Sequence, residues 1–355
     1  MTMTSLERVS MALSHREPDR VPVYPILSGV SRNLIGASYK DWALKAEVTA
    51  EALIKAQEVF ELDCICTLTD LSVEAADFGQ KIVYPEMEAA HPDFDNHFIK
   101  TLDDFKLIRK VDPRFTPRMS EHIKLCRTLV ERKGQEVPVV AFVFGPLGVL
   151  AMMRGLQNTM MDLIMHPAEV KEAVNTINEV LLDYCDALID TGVHAIMLDT
   201  LFASKSIMSK TMWQEFEGEY CRKLAKHIHN RNCMVMIHNC GKGIYFDVQI
   251  EAMEPEAISF NHLPDDCSSP QELKSKYGHI TTLIGMVEPT QAPFMAKALL
   301  EKICREQIDL FKKDGGFILA TGCEYPCNAP LDGARTIVEA AKKYGQYHQK
   351  ATSIA

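Results

Sequence analysis

The sequence has no uninterrupted apolar run of the roughly 18 residues that a bilayer-crossing helix needs, so no membrane span is expected. It has no surplus of positive charge either. Lys and Arg number 38 against 48 Asp and Glu, and the formal charge of −10 supplies none of the broad positive field on which nucleic-acid binding draws. No apparent strand is followed by Gly-x-Gly-x-x-Gly, and Gly-x-x-x-x-Gly-Lys-Ser/Thr does not occur, which removes the usual phosphate cradles. The opening stretch MTMTSLERVSMALSHREPDR lacks the apolar core and small-residue cleavage site of a secretory signal, so a cytoplasmic protein is expected. An even, framework-like set of cysteines is missing as well: there are 11, scattered through apolar stretches such as LDCICTL and LLDYCDAL. Buried thiols are the ordinary reading of such cysteines, and any with a function is a metal ligand or nucleophile rather than half of a disulfide.

What is present is alternation. Eight short β-rich runs recur: VPVYP (21–25), LDCICT (62–67), VPVVAFVFG (137–145), HAIMLD (194–199), CMVMIH (233–238), AISFN (257–261), ITTLIG (280–285) and FILATG (317–322). Between them lie stretches of period near 3.6, among them PAEVKEAVNTINEVLLDYCDALIDTG, which a proline opens and a glycine closes. Strand and helix in turn predict a parallel sheet covered by helices, and eight strands predict an α/β fold of one (β/α)8 TIM barrel spanning 1–355. Residues 68–136 break the rhythm after the second strand and are expected to form an insertion at the barrel mouth. The methionine-rich GPLGVLAMMRG (145–155) and MMDLIMHP (160–167) are read as core filling.

In such a barrel the chemistry lies just beyond the C-terminal ends of the strands. Those positions hold Thr69 and Asp70, Asp199, His238 and Cys240, Asn261 and His262, Glu288, and Cys323 with Glu324. His238 and Cys240, in HNCG, are two residues apart, so on an extended strand end both side chains face the same way. Alone, such a pair most often marks a core histidine beside a buried thiol. Cys323, at the mouth of the last strand, changes the balance: a Cys₂His set with one coordination position left open is the pattern of a catalytic zinc. Cys327 is a competitor for the third position, set aside because it lies farther along the loop. Asp70, Asp199, Asn261 and Glu288 are candidate substrate-binding residues, each with a helix cap or loop hydrogen bond as its ordinary alternative.

The stretches DRVPVYP, TDLSVEAADFGQKIVYPE, GPLGVLAMMRG, IHNCGKG, IGMVEPTQ and GCEYPCNAPLDGARTIVEAAKKYGQY resemble the uroporphyrinogen decarboxylase superfamily along nearly the whole chain. Within it they are more similar to the zinc-dependent corrinoid methyltransferases, such as the methylcobamide:coenzyme M methyltransferases, than to the decarboxylases. The resemblance places His238, Cys240 and Cys323 on the zinc ligands of those enzymes. It implies a methyltransferase that moves a methyl group between a corrinoid (cobalamin) carried by a partner protein and a small thiol, methyl ether or methylated amine. The alternatives are a uroporphyrinogen decarboxylase-type enzyme and a non-catalytic tetrapyrrole-binding barrel. Against the first stands the stretch YPILSGVSRNLIG, which has only Arg32 where the decarboxylases have an arginine-rich segment. Two departures from the family pattern, Met286 and Glu288 in GMVEPT and Asn261 in SFNHLPDD, leave the substrate and any fourth zinc ligand open.

Overall fold

A computed structural model describes residues 3–347. Its inner and outer faces follow directly from the two-residue period of the strands. Every second residue, including Cys64, Cys66 and Leu68, then Val140 and Phe142, Ala195 and Met197, Met236, Ala257, Ile284, and Ile318 with Ala320, joins one interior cluster. The residues between them, among them Ile65, Val139, Ala141, Ile196, Leu198, Val235, Ile237, Ile258, Leu283 and Leu319, pack outward against the helices. Both faces are buried, as expected of a parallel sheet.

The strands are β1 (Ile65–Cys66), β2 (Ile82–Val83), β3 (His91–Pro92), β4 (Val139–Phe144), β5 (Ala195–Asp199), β6 (Met234–Asn239), β7 (Ala257–Phe260), β8 (Thr282–Val287) and β9 (Phe317–Thr321). Seven of them form one curled parallel sheet in the order β1-β4-β5-β6-β7-β8-β9. β2 and β3 make a separate antiparallel hairpin. Helices such as Pro117–Lys133 and Pro167–Ile189, each with proline in its first turn, carry the chain back between successive strands. The helix Ser5–Leu13 puts Val9 and Ala12 into the interior cluster. No helix among the described residues is long and apolar enough to cross a membrane.

Among the described residues the sheet has seven regular strands, not the eight expected. The segment 21–25 touches β9 through one parallel bridge, Val23 to Leu319. Tyr24 N–H donates to the Leu319 carbonyl at 2.8 Å, and Asp63 N–H donates to the Val23 carbonyl at 3.0 Å. Pro22 and Pro25 have no N–H to give, which keeps an alternating apolar run from becoming a regular strand.

Within 68–136, the helix Pro117–Lys133 covers the sheet, while the short helix Val73–Asp77, the β2–β3 hairpin and a 3₁₀ turn at Leu102–Leu107 make up the irregular part. That part lies against the end of the helix Pro146–Arg154, where Ile99 N–H donates to the Met153 carbonyl at 3.0 Å. The methionine-rich stretches divide. Leu147, Val149, Leu150 and Met153 are fully buried, whereas Met161, Ile164 and Met165 stand 49, 72 and 69% exposed, contrary to the core expectation for 160–167. The helix Leu156–Met165 has its buried contacts through Thr159, Asp162 and Leu163, so Met161 and Met165 fall on the outer side while Met160 packs partly buried against the core.

Candidate metal centre

Continuing the inward alternation past the interior cluster gives the layer above it: Asp70 over Leu68, Asp199 over Met197, His238 over Met236, Ser259 over Ala257, and Gly322 over Ala320. The polar residues therefore converge because their strands are in register. Asp199 pairs with His238, and His238 with Ser259.

His238 is buried at the end of β6, and its Nδ1 meets the Ser259 hydroxyl at 3.0 Å. With that nitrogen engaged, Nε2 is the ring atom left to serve as a ligand. The turn that follows is pinned by Asn239, whose Nδ2 donates to the Thr200 carbonyl at 2.7 Å and whose Oδ1 accepts from Gly241 N–H at 2.9 Å. Gly241 has no room for a side chain, since a Cβ there would lie 2.5 Å from the Ser204 hydroxyl. Cys240 is thereby turned toward β9. On the other side Gly322 packs against Asn261, with the place of a Cβ only 2.2 Å from Asn261 Oδ1.

The result is a cluster in which the donor atoms of His238, Cys240 and Cys323 all lie within 4.8 Å of one another. Cys327 is not part of it; its sulfur accepts from Asn328 Nδ2 at 3.4 Å. Of the 11 cysteines, eight are buried, and the three that are partly exposed are Cys240, Cys323 and Cys327. The hydrogen bond to Cys240, together with burial, pushes the Cys323 thiol well above its ordinary range. Burial disfavours a charged His238, but the hydrogen bond and charge of Cys323 outweigh it and raise the imidazole. Two sulfurs and an imidazole nitrogen this close are donors of the kind that a soft or borderline dication takes, and the set fits one.

The other candidates have different surroundings. Asp70 is ion-paired to Arg118 and accepts from Ser72 N–H at 2.8 Å, so its oxygens are engaged within the fold. Asp199 is 3% exposed, and its Oδ1 has no hydrogen-bond partner; burial raises its carboxyl to about 6. Asn261 Nδ2 donates to Glu288 Oε2 at 3.0 Å, and Glu288 Oε1 accepts from the Thr290 hydroxyl at 2.8 Å. Glu324 accepts from Gly29 N–H at 2.8 Å, and burial raises it to about 7. Sequence reasoning missed Ser259 and Asn239. A second acidic group, Asp247, Asp265 and Asp266, lies toward the surface and is met by lysines, Lys210 reaching Asp247 at 2.7 Å and Asp265 at 3.5 Å.

Comparison with known proteins bears on the family and the fold. The family model described as uroporphyrinogen decarboxylase (URO-D) matches residues 4–344. The methylcobamide:CoM methyltransferase MtbA of Methanosarcina mazei is 22% identical over 351 residues, covering 96% of this chain and 98% of its own. The uroporphyrinogen decarboxylase of Helicobacter pylori (strain P12) is 20% identical over 309 residues, covering 85% of this chain and 86% of its own. Among solved structures, a methyltransferase from Methanosarcina mazei superposes with a TM-score of 0.81 at 20% identity, covering 96% of this chain and 99% of that one.

Proposed function

This chain belongs to the uroporphyrinogen decarboxylase family, and from that premise we propose that it is a zinc-dependent methyltransferase which moves a methyl group between a corrinoid and a small thiol or methylated substrate. The observation that carries the proposal is the three-donor cluster, His238, Cys240 and Cys323 within 4.8 Å. Similarity to methylcobamide:CoM methyltransferases at nearly full length of both chains supports the corrinoid half of the reading. In this reading the corrinoid is carried by a partner protein.

Zinc held by these three residues would supply Lewis acidity that keeps a substrate thiol deprotonated at neutral pH. The chain itself does the rest. Ser259 fixes the ring of His238, Asn239 and Gly241 aim Cys240, and the closeness of Asn261 to Gly322 seats Cys323. Two anionic sulfurs leave a bound thiolate more nucleophilic than three neutral imidazoles would, which favours a thiol as the small substrate. Asp199, Asn261 and Glu288 remain substrate-binding candidates. The chain acts in the cytoplasm as a single catalytic unit, a setting that suits 11 unpaired thiols.

A decarboxylase acting on a porphyrinogen is disfavoured by Arg32. Its two terminal nitrogens donate to the Asn33 and Asn328 side chains and the Glu86 carbonyl, over the Tyr39 ring. The test is metal content by elemental analysis on protein purified without chelators, beside Cys323→Ser, followed by methylcobalamin assays with candidate thiols. About one zinc per chain, strongly reduced in the variant, is expected. No zinc in a folded parent supplied with the metal would sink the proposal.

A further inference from the structure

The turn that carries Cys240 lies along the loop that leaves β5. Asn239 Nδ2 donates to the carbonyls of Thr200 and Ala203 at 2.7 and 3.3 Å, and Tyr245 N–H donates to the same Ala203 carbonyl at 2.9 Å. Lys205 N–H donates to the Gly243 carbonyl at 3.0 Å, and Ser204 and Ile244 form an isolated bridge between them. The end of the turn is also joined to the loop after β7, where Asp265 N–H donates to the Ile244 carbonyl at 2.9 Å. Where the Cys240 sulfur sits therefore depends on how firmly residues 200–205 are held.

One pair of side chains closes the arrangement. The Thr200 hydroxyl donates to Gln249 Oε1, and Gln249 Nε2 donates to the Tyr245 carbonyl at 3.1 Å. A carbonyl can only accept, so the amide nitrogen is the atom that faces Tyr245, and Oε1 is left for Thr200. Followed from Asn239 to Thr200, Gln249, Tyr245, Ala203 and back to Asn239, the hydrogen bonds make a ring around residues 240–244. Thr200, Ala203, Asn239 and Gln249 are fully buried, and Tyr245 is 3% exposed. Opening any bond of such a ring strands a polar group away from water, so the ring holds one arrangement. Thr200 also reaches the other ligand of β6, its N–H donating to the His238 carbonyl at 3.1 Å. Gln249 otherwise has apolar company on the buried face of the helix Phe246–Met253, where Phe246, Val248, Ala252 and Met253 surround it in sequence.

We propose that Thr200 and Gln249 are positioning residues of the metal site. Acting through Asn239 and the 200–205 loop, they hold Cys240 where a metal shared with His238 and Cys323 needs it, before any metal arrives. The hydrogen bonds of the two side chains go to each other and to Tyr245, not to a ligand side chain. The inference rests on the zinc reading above and goes beyond it by assigning the source of the site's rigidity.

The experiment uses the full chain, stripped of metal and reloaded with zinc or cobalt(II), as parent, Thr200→Val, Gln249→Met, the double variant, and Thr200→Ser, which keeps the hydroxyl. Val180→Ala, in the buried face of the helix Pro167–Ile189 and outside the ring, controls for lost stability alone. Competition with a coloured chelator reads zinc affinity, and the sulfur-to-cobalt absorption reads whether both thiolates bind. Thr200→Val and Gln249→Met are each expected to weaken zinc about tenfold, the lower end of what residues supporting a ligand contribute, and to lose part of the absorption. The double variant should do no worse than either single one, since both open the same ring. Thr200→Ser and Val180→Ala should match the parent in both readouts. Parent-like affinity and spectrum in both single variants overturn the inference, as does an equal loss in Val180→Ala, which would make the effect one of general stability. A second measurement needs no variant: in the metal-free parent the amides of residues 239–245 should exchange slowly before zinc is added as well as after. Exchange that slows only with zinc would mean that the metal orders the turn, and overturns the inference too. If the parent takes up neither zinc nor cobalt, the inference falls together with the reading beneath it, whereas a metal-binding parent with indifferent variants sinks the inference alone.

Discussion

His238 and Ser259 face each other from the paired strands β6 and β7, with Nδ1 of the ring 3.0 Å from the hydroxyl. This contact decides which nitrogen of His238 points at Cys323, and it makes a serine with no chemistry of its own part of the candidate metal site. A ligand imidazole that is not held loses affinity because its rotation must be frozen on binding.

Ser259→Ala is therefore expected to weaken zinc binding about 10–100-fold while leaving the fold intact. Competition with a coloured chelator measures the affinity, and circular dichroism checks the fold. Unchanged affinity would mean that packing against Phe142, whose ring centre lies 6.0 Å from that of His238, suffices to orient the imidazole.

Gly322 precedes Cys323 and admits no side chain. A Cβ there would sit 2.2 Å from Asn261 Oδ1 and 2.4 Å from Asn261 Cα. Gly322→Ala must push β7 and the end of β9 apart, at a cost of about 1–3 kcal/mol, and carry Cys323 away from its partners. Urea unfolding should show the destabilisation, and elemental analysis a fall in zinc per chain. A variant as stable and as zinc-rich as the parent would show that the loop absorbs the methyl group.

How much of this could be read beforehand follows from the kind of signal each feature leaves. The strands on both sides of the site announce themselves by apolar runs, and the pair His238 and Cys240 by its spacing, because both signals are local. Ser259 leaves none: a serine inside a strand gains its role only from the β6–β7 register, which no single segment contains. The 21–25 segment misleads for the opposite reason. Its apolar residues alternate as a strand's do, but Pro22 and Pro25 remove the donors a ladder needs. Asp70 sits at a strand end as a catalytic residue would, yet its partner Arg118 lies on the helix Pro117–Lys133, far along the chain.

That pairing gives Asp70 a structural account which a variant can separate from substrate binding. Asp70→Asn leaves the Arg118 guanidinium buried without its counter-ion, and breaking such a pair costs about 3–5 kcal/mol. The expected result is a lowered urea midpoint with zinc still bound in the folded fraction. A variant of undiminished stability whose KM for the small substrate rises would return Asp70 to the substrate-binding set.

Glu74 makes a prediction about pH that does not depend on metal. It is buried on the helix Val73–Asp77 against the end of β4, its Oε1 accepts from Phe144 N–H at 3.1 Å, and burial raises its carboxyl to about 8. A carboxyl whose pKa is higher in the fold than in the unfolded chain binds its proton more tightly when folded. Stability from this group is therefore greatest at low pH and is lost as pH rises from the ordinary carboxyl range through about 8. Glu74→Gln keeps the acceptor for Phe144 and has no proton to lose. Between pH 6 and pH 9 the parent should lose of the order of 2 kcal/mol more than the variant, seen as a larger fall in Tm. Parallel Tm profiles for the two proteins would mean that the folded chain accommodates the Glu74 charge without cost, and that the raised pKa is wrong.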